Sequence, residues 1–176
     1  GMGLVTSLGQ GKQDNWAALT AGTSGIRAIR RFPTGGLKTT IAGTVDFVPA
    51  EPFCAAQLSE NFARLAVAEA IDEAALGGKG DFPGPLFIAV PPVEMEWPQR
   101  EALAKASGAT DGVTYADLLR AAGTGAFKPW HDLFLFGTVA DRLADTFGTK
   151  GSPISLSTAC SSGATAIQLG VEAIRR

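Results

Sequence analysis

At 176 residues the chain is long enough for one ordinary domain with a substantial core. Hydrophobic residues make up 45% and charged residues 18%, the net charge is −2, and the basic residues gather no further than the pairs Arg30-Arg31 and Arg175-Arg176; this reads as globular protein without the basic face that nucleic-acid binding needs. Apolar runs such as "LFIAV" at 86–90 fall far short of the roughly 20 residues that span a bilayer, and no charged segment followed by an apolar one opens the chain as a secretory signal.

The glycine-rich opening "GMGLVTSLG" has the look of a strand end running into a turn, with nothing before it to make the strand. "DNWAALTAG" at 14–22 predicts a short helix capped by Asp14, stopped at Gly22, with Trp16, Ala18 and Leu19 on one side. "TTIAGTVDF" at 39–47 is β-branched and predicts a strand. The clearest helix lies at 59–76: Ser59 can cap it, Phe62, Leu65, Ala66, Ala70 and Ile71 trace one stripe, and Gly77-Gly78 ends it. "PLFIAV" at 85–90 is continuously apolar, as in a parallel strand covered on both faces, so the alternation predicts an α/β fold.

Residues 91–132 break that rhythm. Prolines at 91, 92, 98 and 129 and glycines at 108, 112, 123 and 125 divide them into short helical pieces, an excursion from the core suited to lining a pocket or an interface. The regular pattern then resumes with Val139, Leu143 and Phe147 at helical spacing up to Gly148, a strand in "SPISLST", and a last helix from "SSGATAIQLG" onward. The closing "VEAIRR" stops inside a helix without a glycine or proline stop, so both ends read as cut.

Cys54 and Cys160 are the only cysteines and His131 the only histidine. They give neither a zinc site built from Cys and His alone nor a disulfide framework, and a cytosolic location is the simplest reading. Nothing calls for a metal or organic cofactor.

Cys160 sits where the last strand turns into the last helix. Backbone N–H groups at a helix start lack intrahelical partners and carry the positive end of the dipole, which favours a thiolate and can stabilise an oxyanion beside it. Ala159, Ser161, Ser162 and Gly163 add little bulk, so a carbonyl can approach the sulfur, while Ala164, Ile167, Val171 and Ile174 form the apolar side expected to anchor the helix. A free cysteine is also commonly a small buried hydrophobe, the reading given to Cys54 in "EPFCAAQL"; position alone leaves both readings open for Cys160.

The stretch "STACSSGATAIQLGVEAIRR" closely resembles the active-site segment of β-ketoacyl synthases of the elongating type. The order of other pieces agrees: "GMGLVTSLG", a Trp-bearing helix and "GTSGI" follow one another, then "IAGTVDF", "FARLAVAEAIDEA" and "FGTKGSPISLSTACSSG". The resemblance runs through residues 1–176 and implies a thiolase-like fold with layered α-β-α-β-α architecture, of which this chain supplies most of the first half, as an N-terminal domain truncated at both ends. It further implies that Cys160 accepts an acyl group from acyl carrier protein and that the enzyme, a homodimer, condenses it with a decarboxylating malonyl unit in fatty acid or related lipid or polyketide synthesis. The two histidines and the lysine that complete such a site are expected in the remainder of the synthase, beyond Arg176.

Two departures bear on this. His131, in "KPWHDLF", matches no catalytic motif and reads as a solvent-facing or packing residue. "AVPPVEMEWPQ" places Pro91, Pro92 and Glu94 where the family commonly has a glycine-rich loop, which implies a different acyl preference or different dimer contacts. The alternative function is a non-condensing or chain-length-determining partner subunit, a role for which some family relatives have lost the nucleophile that this chain keeps.

Overall fold

The computed structural model describes residues 1–78, 80–91 and 94–176; Pro92, part of the proline-rich departure, lies outside them. Strands β1 (Val5–Thr6) and β2 (Gly9–Gln10) form a small antiparallel hairpin, with Val5 opposite Gln10 and Thr6 opposite Gly9. Helix α1 (Gly11–Thr20) follows at once, so Asp14 falls in its first turn rather than at its cap.

The three residues that share one side of α1 are not equally covered, Ala18 being half-buried. Trp16 and Leu19 are exposed, whereas Asn15 is only 5% exposed. Asn15 Nδ2 donates to the carbonyls of Gly9 and Gly11 at 2.8 Å each, and its Oδ1 accepts the Thr6 hydroxyl. A buried amide with its donors and acceptor engaged loses little by leaving water, and it closes the hairpin onto the helix.

Strands β3 (Ile26–Ala28) and β4 (Ile41–Gly43) make a second antiparallel pair, which places the expected strand in the centre of "TTIAGTVDF". Helix α2 (Ala55–Ala74) begins earlier than Ser59 predicts, with Cys54 at its cap position and Ser59 inside it. It ends where Ala75 turns left-handed at φ +51°, and Gly77 continues the turn at φ +71°.

Between strand β5 (Phe87–Ala89) and strand β6 (Ile154–Leu156) lie four helices: α3 (Trp97–Ala106), α4 (Tyr115–Ala122), α5 (Lys128–Leu133) and α6 (Thr138–Phe147). Proline stands in the first turn of both α3 and α5, where its missing N–H costs nothing. Helix α4 has a capping box: the Thr114 hydroxyl accepts the Asp117 amide at 3.3 Å, and the Asp117 carboxylate accepts the Thr114 amide at 3.0 Å. Helix α6 stops at Gly148, whose φ is +64° and where a Cβ would collide with the Gly80 carbonyl, so only glycine fits.

Strands β5 and β6 pair in parallel, Phe87 beside Ile154 and Ala89 beside Leu156. Strand alternation then sorts the layers. Leu86, Ile88 and Val90 join the core cluster with Ala63 of α2 and Val139, Leu143 and Phe147 of α6. Phe87 instead lines a recess with Ala166 and Gly170 of the last helix, α7 (Ser162–Arg175), which packs on β5. Helices thus cover both faces of the parallel pair, the α-β-α layering expected of a βαβ crossover.

Glu60, 7% exposed, locks α2 to α6: it accepts from Arg64 on its own helix and from Arg142 Nη1 at 3.0 Å. Among the described residues no helix is long and apolar enough to cross a membrane, and no group of histidine, cysteine and carboxylate side chains is placed to hold a metal ion.

Candidate functional site at the β6–α7 turn

Strand β6 ends at Leu156, and Ser157 to Ser161 carry the chain round into α7. Cys160 stands on this turn with its side chain exposed. The residue before it, Ala159, has φ +51°. A non-glycine residue held there costs about 1–2 kcal/mol, so the surrounding bonds must over-determine the turn.

Those bonds come from hydroxyls. Ser162 Oγ accepts the Thr158 amide at 2.8 Å and donates to the Ala159 carbonyl at 2.7 Å. Ser161 Oγ donates to the Thr158 carbonyl at 2.9 Å, with Thr158 Oγ1 also within reach at 3.0 Å, and Thr165 Oγ1 donates to the Ser161 carbonyl at 3.0 Å. The serines and threonines of "STACSSGAT" are therefore the framework of the turn, a role that "small residues" alone did not reveal. The left-handed residue of the turn is Ala159, and a Cβ added at Gly163 would meet nothing within 4 Å.

The same hydroxyls leave donors free. The amides of Cys160, Gly163 and Ala164 find no acceptor among the described residues, and α7 has no side-chain cap. An exposed thiol therefore stands at the start of a 14-residue helix beside N–H groups that have no acceptor among the described residues, an arrangement able to donate to an oxygen that develops negative charge next to it.

The helix is anchored differently from the expectation. Ile167 is 71% exposed and Ile174 87%, and Val171 and Ala164 are exposed too, while Ser162, Ala166, Leu169, Gly170 and Ala173 are half-buried on the opposite side. The small side chains of Ala166 and Gly170 stand on the side of α7 that packs on β5.

The other chemistry-bearing residues are elsewhere. Cys54 is half-buried at the start of α2, where Glu96 Oε1 accepts the Ala55 amide at 2.7 Å. His131 is exposed on α5 beside Asp132, with Nδ1 3.2 Å from Oδ1. It lines a recess of about 700 Å³ with Met95, Leu103, Phe127, Trp130 and Phe134, which Cys160 does not line.

Residues 100–176, which include the whole β6–Cys160–α7 unit, match the family model "Beta-ketoacyl synthase, N-terminal domain". This segment is similar to the N-terminal domain of β-ketoacyl synthases. Sequence relatives extend the likeness across the chain: it is 28% identical to a Streptomyces halstedii protein assigned provisionally as polyketide beta-ketoacyl synthase 1, over 99% of this chain and 42% of that protein. A shorter and stronger match, 47% over 51 residues, covers 28% of this chain and 12% of a Coxiella burnetii 3-oxoacyl-acyl-carrier-protein synthase 2. Among solved structures, the ishigamide ketosynthase/chain length factor superposes with a TM-score of 0.59 at 23% identity, covering 99% of this chain and 43% of that one. The fold is therefore the thiolase-like layered fold of ketosynthases. The chain spans about two-fifths of the length of such full-length synthases.

Proposed function

We propose that residues 1–176 are an N-terminal β-ketoacyl synthase domain and that Cys160 is its acyl-accepting nucleophile. The observation that carries this is the exposed thiol at the head of α7 beside three amides with no acceptor among the described residues, inside the segment that matches the family model. In the first step Cys160 Sγ adds to the carbonyl carbon of an acyl thioester on acyl carrier protein. The carbonyl electron pair moves to oxygen, and collapse of that oxyanion expels the carrier's thiol, which takes up the proton the cysteine gave up. The second step releases carbon dioxide from a malonyl thioester. Its α-carbon attacks the Cys160-bound acyl group and frees the sulfur, giving a β-ketoacyl thioester two carbons longer.

Two histidines and a lysine from the remainder of the synthase would serve the decarboxylation in this scheme, with His131 outside it. Acyl carrier protein is the donor partner, in keeping with the name of the Coxiella relative, and a homodimer is the assembly. A second reading, a chain-length-determining subunit beside an active synthase, draws support from the likeness to the ishigamide protein, in which a ketosynthase is coupled with a chain length factor.

The test is condensation by the intact protein supplied with acyl and malonyl carrier protein. A β-ketoacyl product from the wild type and none from Cys160→Ala supports the synthase. No product without an added second subunit, and an unchanged product from that mixture when the Cys160→Ala protein is used, would favour the partner role.

A further inference from the structure

The hydroxyl of Ser162 does more than begin a helix. It brackets the strained residue before the cysteine, accepting the Thr158 amide at 2.8 Å and donating to the Ala159 carbonyl at 2.7 Å, and the Ser162 amide donates to that same carbonyl at 3.2 Å. The Ala159 carbonyl belongs to the peptide whose N–H is that of Cys160. This peptide is planar and trans, so its N–H points opposite its C=O. Pinning the oxygen toward Ser162 therefore turns the Cys160 N–H away from the helix, where no acceptor among the described residues meets it.

We propose that Ser162 is a positioning residue for acyl transfer: its hydroxyl fixes the Ala159–Cys160 peptide so that the Cys160 amide stands ready to donate to the oxyanion formed on the attacked carbonyl. The inference rests on the assignment of Cys160 as acyl acceptor. Ser161 and Thr165 do not share the role, since their hydroxyls engage Thr158 and the Ser161 carbonyl and leave the Ala159 carbonyl untouched. Ser162 touches neither sulfur nor substrate in this scheme and acts only through the peptide it holds.

Two reactions of Cys160 separate this role from a general structural one. Acylation by an acyl thioester passes through an oxyanion; alkylation by iodoacetamide, a displacement at carbon, does not. In the intact protein, Ser162→Ala is expected to slow Cys160 acylation by at least about tenfold, because an oxyanion donor left loosely aimed loses most of its value. The same variant should alkylate Cys160 within about threefold of the wild type, and Ser162→Thr, which restores a hydroxyl, should recover most of the acylation rate. Acylation of Ser162→Ala at the wild-type rate would overturn the proposal. So would an equal loss of acylation and alkylation in that variant, or failure of threonine to rescue. Failure of the wild type itself to acylate at Cys160 would instead remove the nucleophile assignment on which the proposal stands, and the wild-type arm reads this separately.

Discussion

Cys54 caps α2 and Cys160 precedes α7, so a place at a helix start does not by itself separate the two cysteines. What fills each start does. At α2 the Glu96 carboxylate already occupies the Ala55 amide, and the thiol is half-buried. At α7 neutral hydroxyls engage carbonyls and leave amides free around an exposed thiol. Iodoacetamide should therefore modify Cys160 at least about tenfold faster than Cys54 in the folded protein, as followed by time-resolved peptide mass spectrometry. Equal rates, or Cys54 first, would contradict this account. The place of Cys160 between a strand and a helix was legible in the sequence because strand, turn and helix lie in one unbroken stretch. The helix start at Cys54 was not, because its carboxylate partner is 41 residues away and "EPFCAAQL" contains no capping residue of its own.

Helices α2 and α6 and strands β5 and β6 were legible in the sequence pattern, though helix faces were not always so. The β1–β2 hairpin and β3 were not legible, because strands of two or three residues carry no period. In α6 the spacing of Val139, Leu143 and Phe147 points to the core cluster in which all three are found. Leu143, at 0% exposure, should be costly to truncate: Leu143→Ala is expected to lose about 2–5 kcal/mol in chemical denaturation, and a loss below about 1 would show that α6 is not part of the core. In α1 Trp16 and Leu19 face outward while a satisfied asparagine is buried, and in α7 Ile167, Val171 and Ile174 face outward while Leu169 and a row of small residues are half-buried; a hydrophobicity pattern carries neither fact. The hairpin and α1 are tied to α2 by Glu69, which accepts the Lys12 amide at 2.8 Å and the Leu4 amide at 2.9 Å. These two bonds, that of Lys12 foremost, hold its carboxyl below the ordinary glutamate range. A depressed pKa contributes stability that is fully present above the unfolded value and is lost as pH falls through the folded one. The thermal midpoint of the wild type should accordingly drop more steeply than that of Glu69→Gln as pH is lowered from about 5 to 3, the range in which glutamate titrates. Parallel curves would show that Glu69 does not tie these elements together.

At the scale of the molecule, α7 is apolar on two sides: small residues against β5 and the exposed stripe of Ile167, Val171 and Ile174. A helix of that kind belongs between layers rather than at a surface. Residues 1–176 produced alone should self-associate in sedimentation, and replacing Ile167 and Ile174 together by lysine should shift the material toward monomer; a monodisperse monomer without the replacements would contradict this. The layered order was readable from the strand and helix alternation, whereas the uncovered stripe emerged only once the small-residue face was seen against β5. The central claim, that Cys160 receives the acyl group, is tested most directly by digesting the intact protein after brief incubation with an acyl-carrier-protein thioester and locating the mass increment by peptide sequencing. The account predicts one acyl group on Cys160 and none on Cys54; an unmodified Cys160, or an acyl group carried by any other residue, would contradict it.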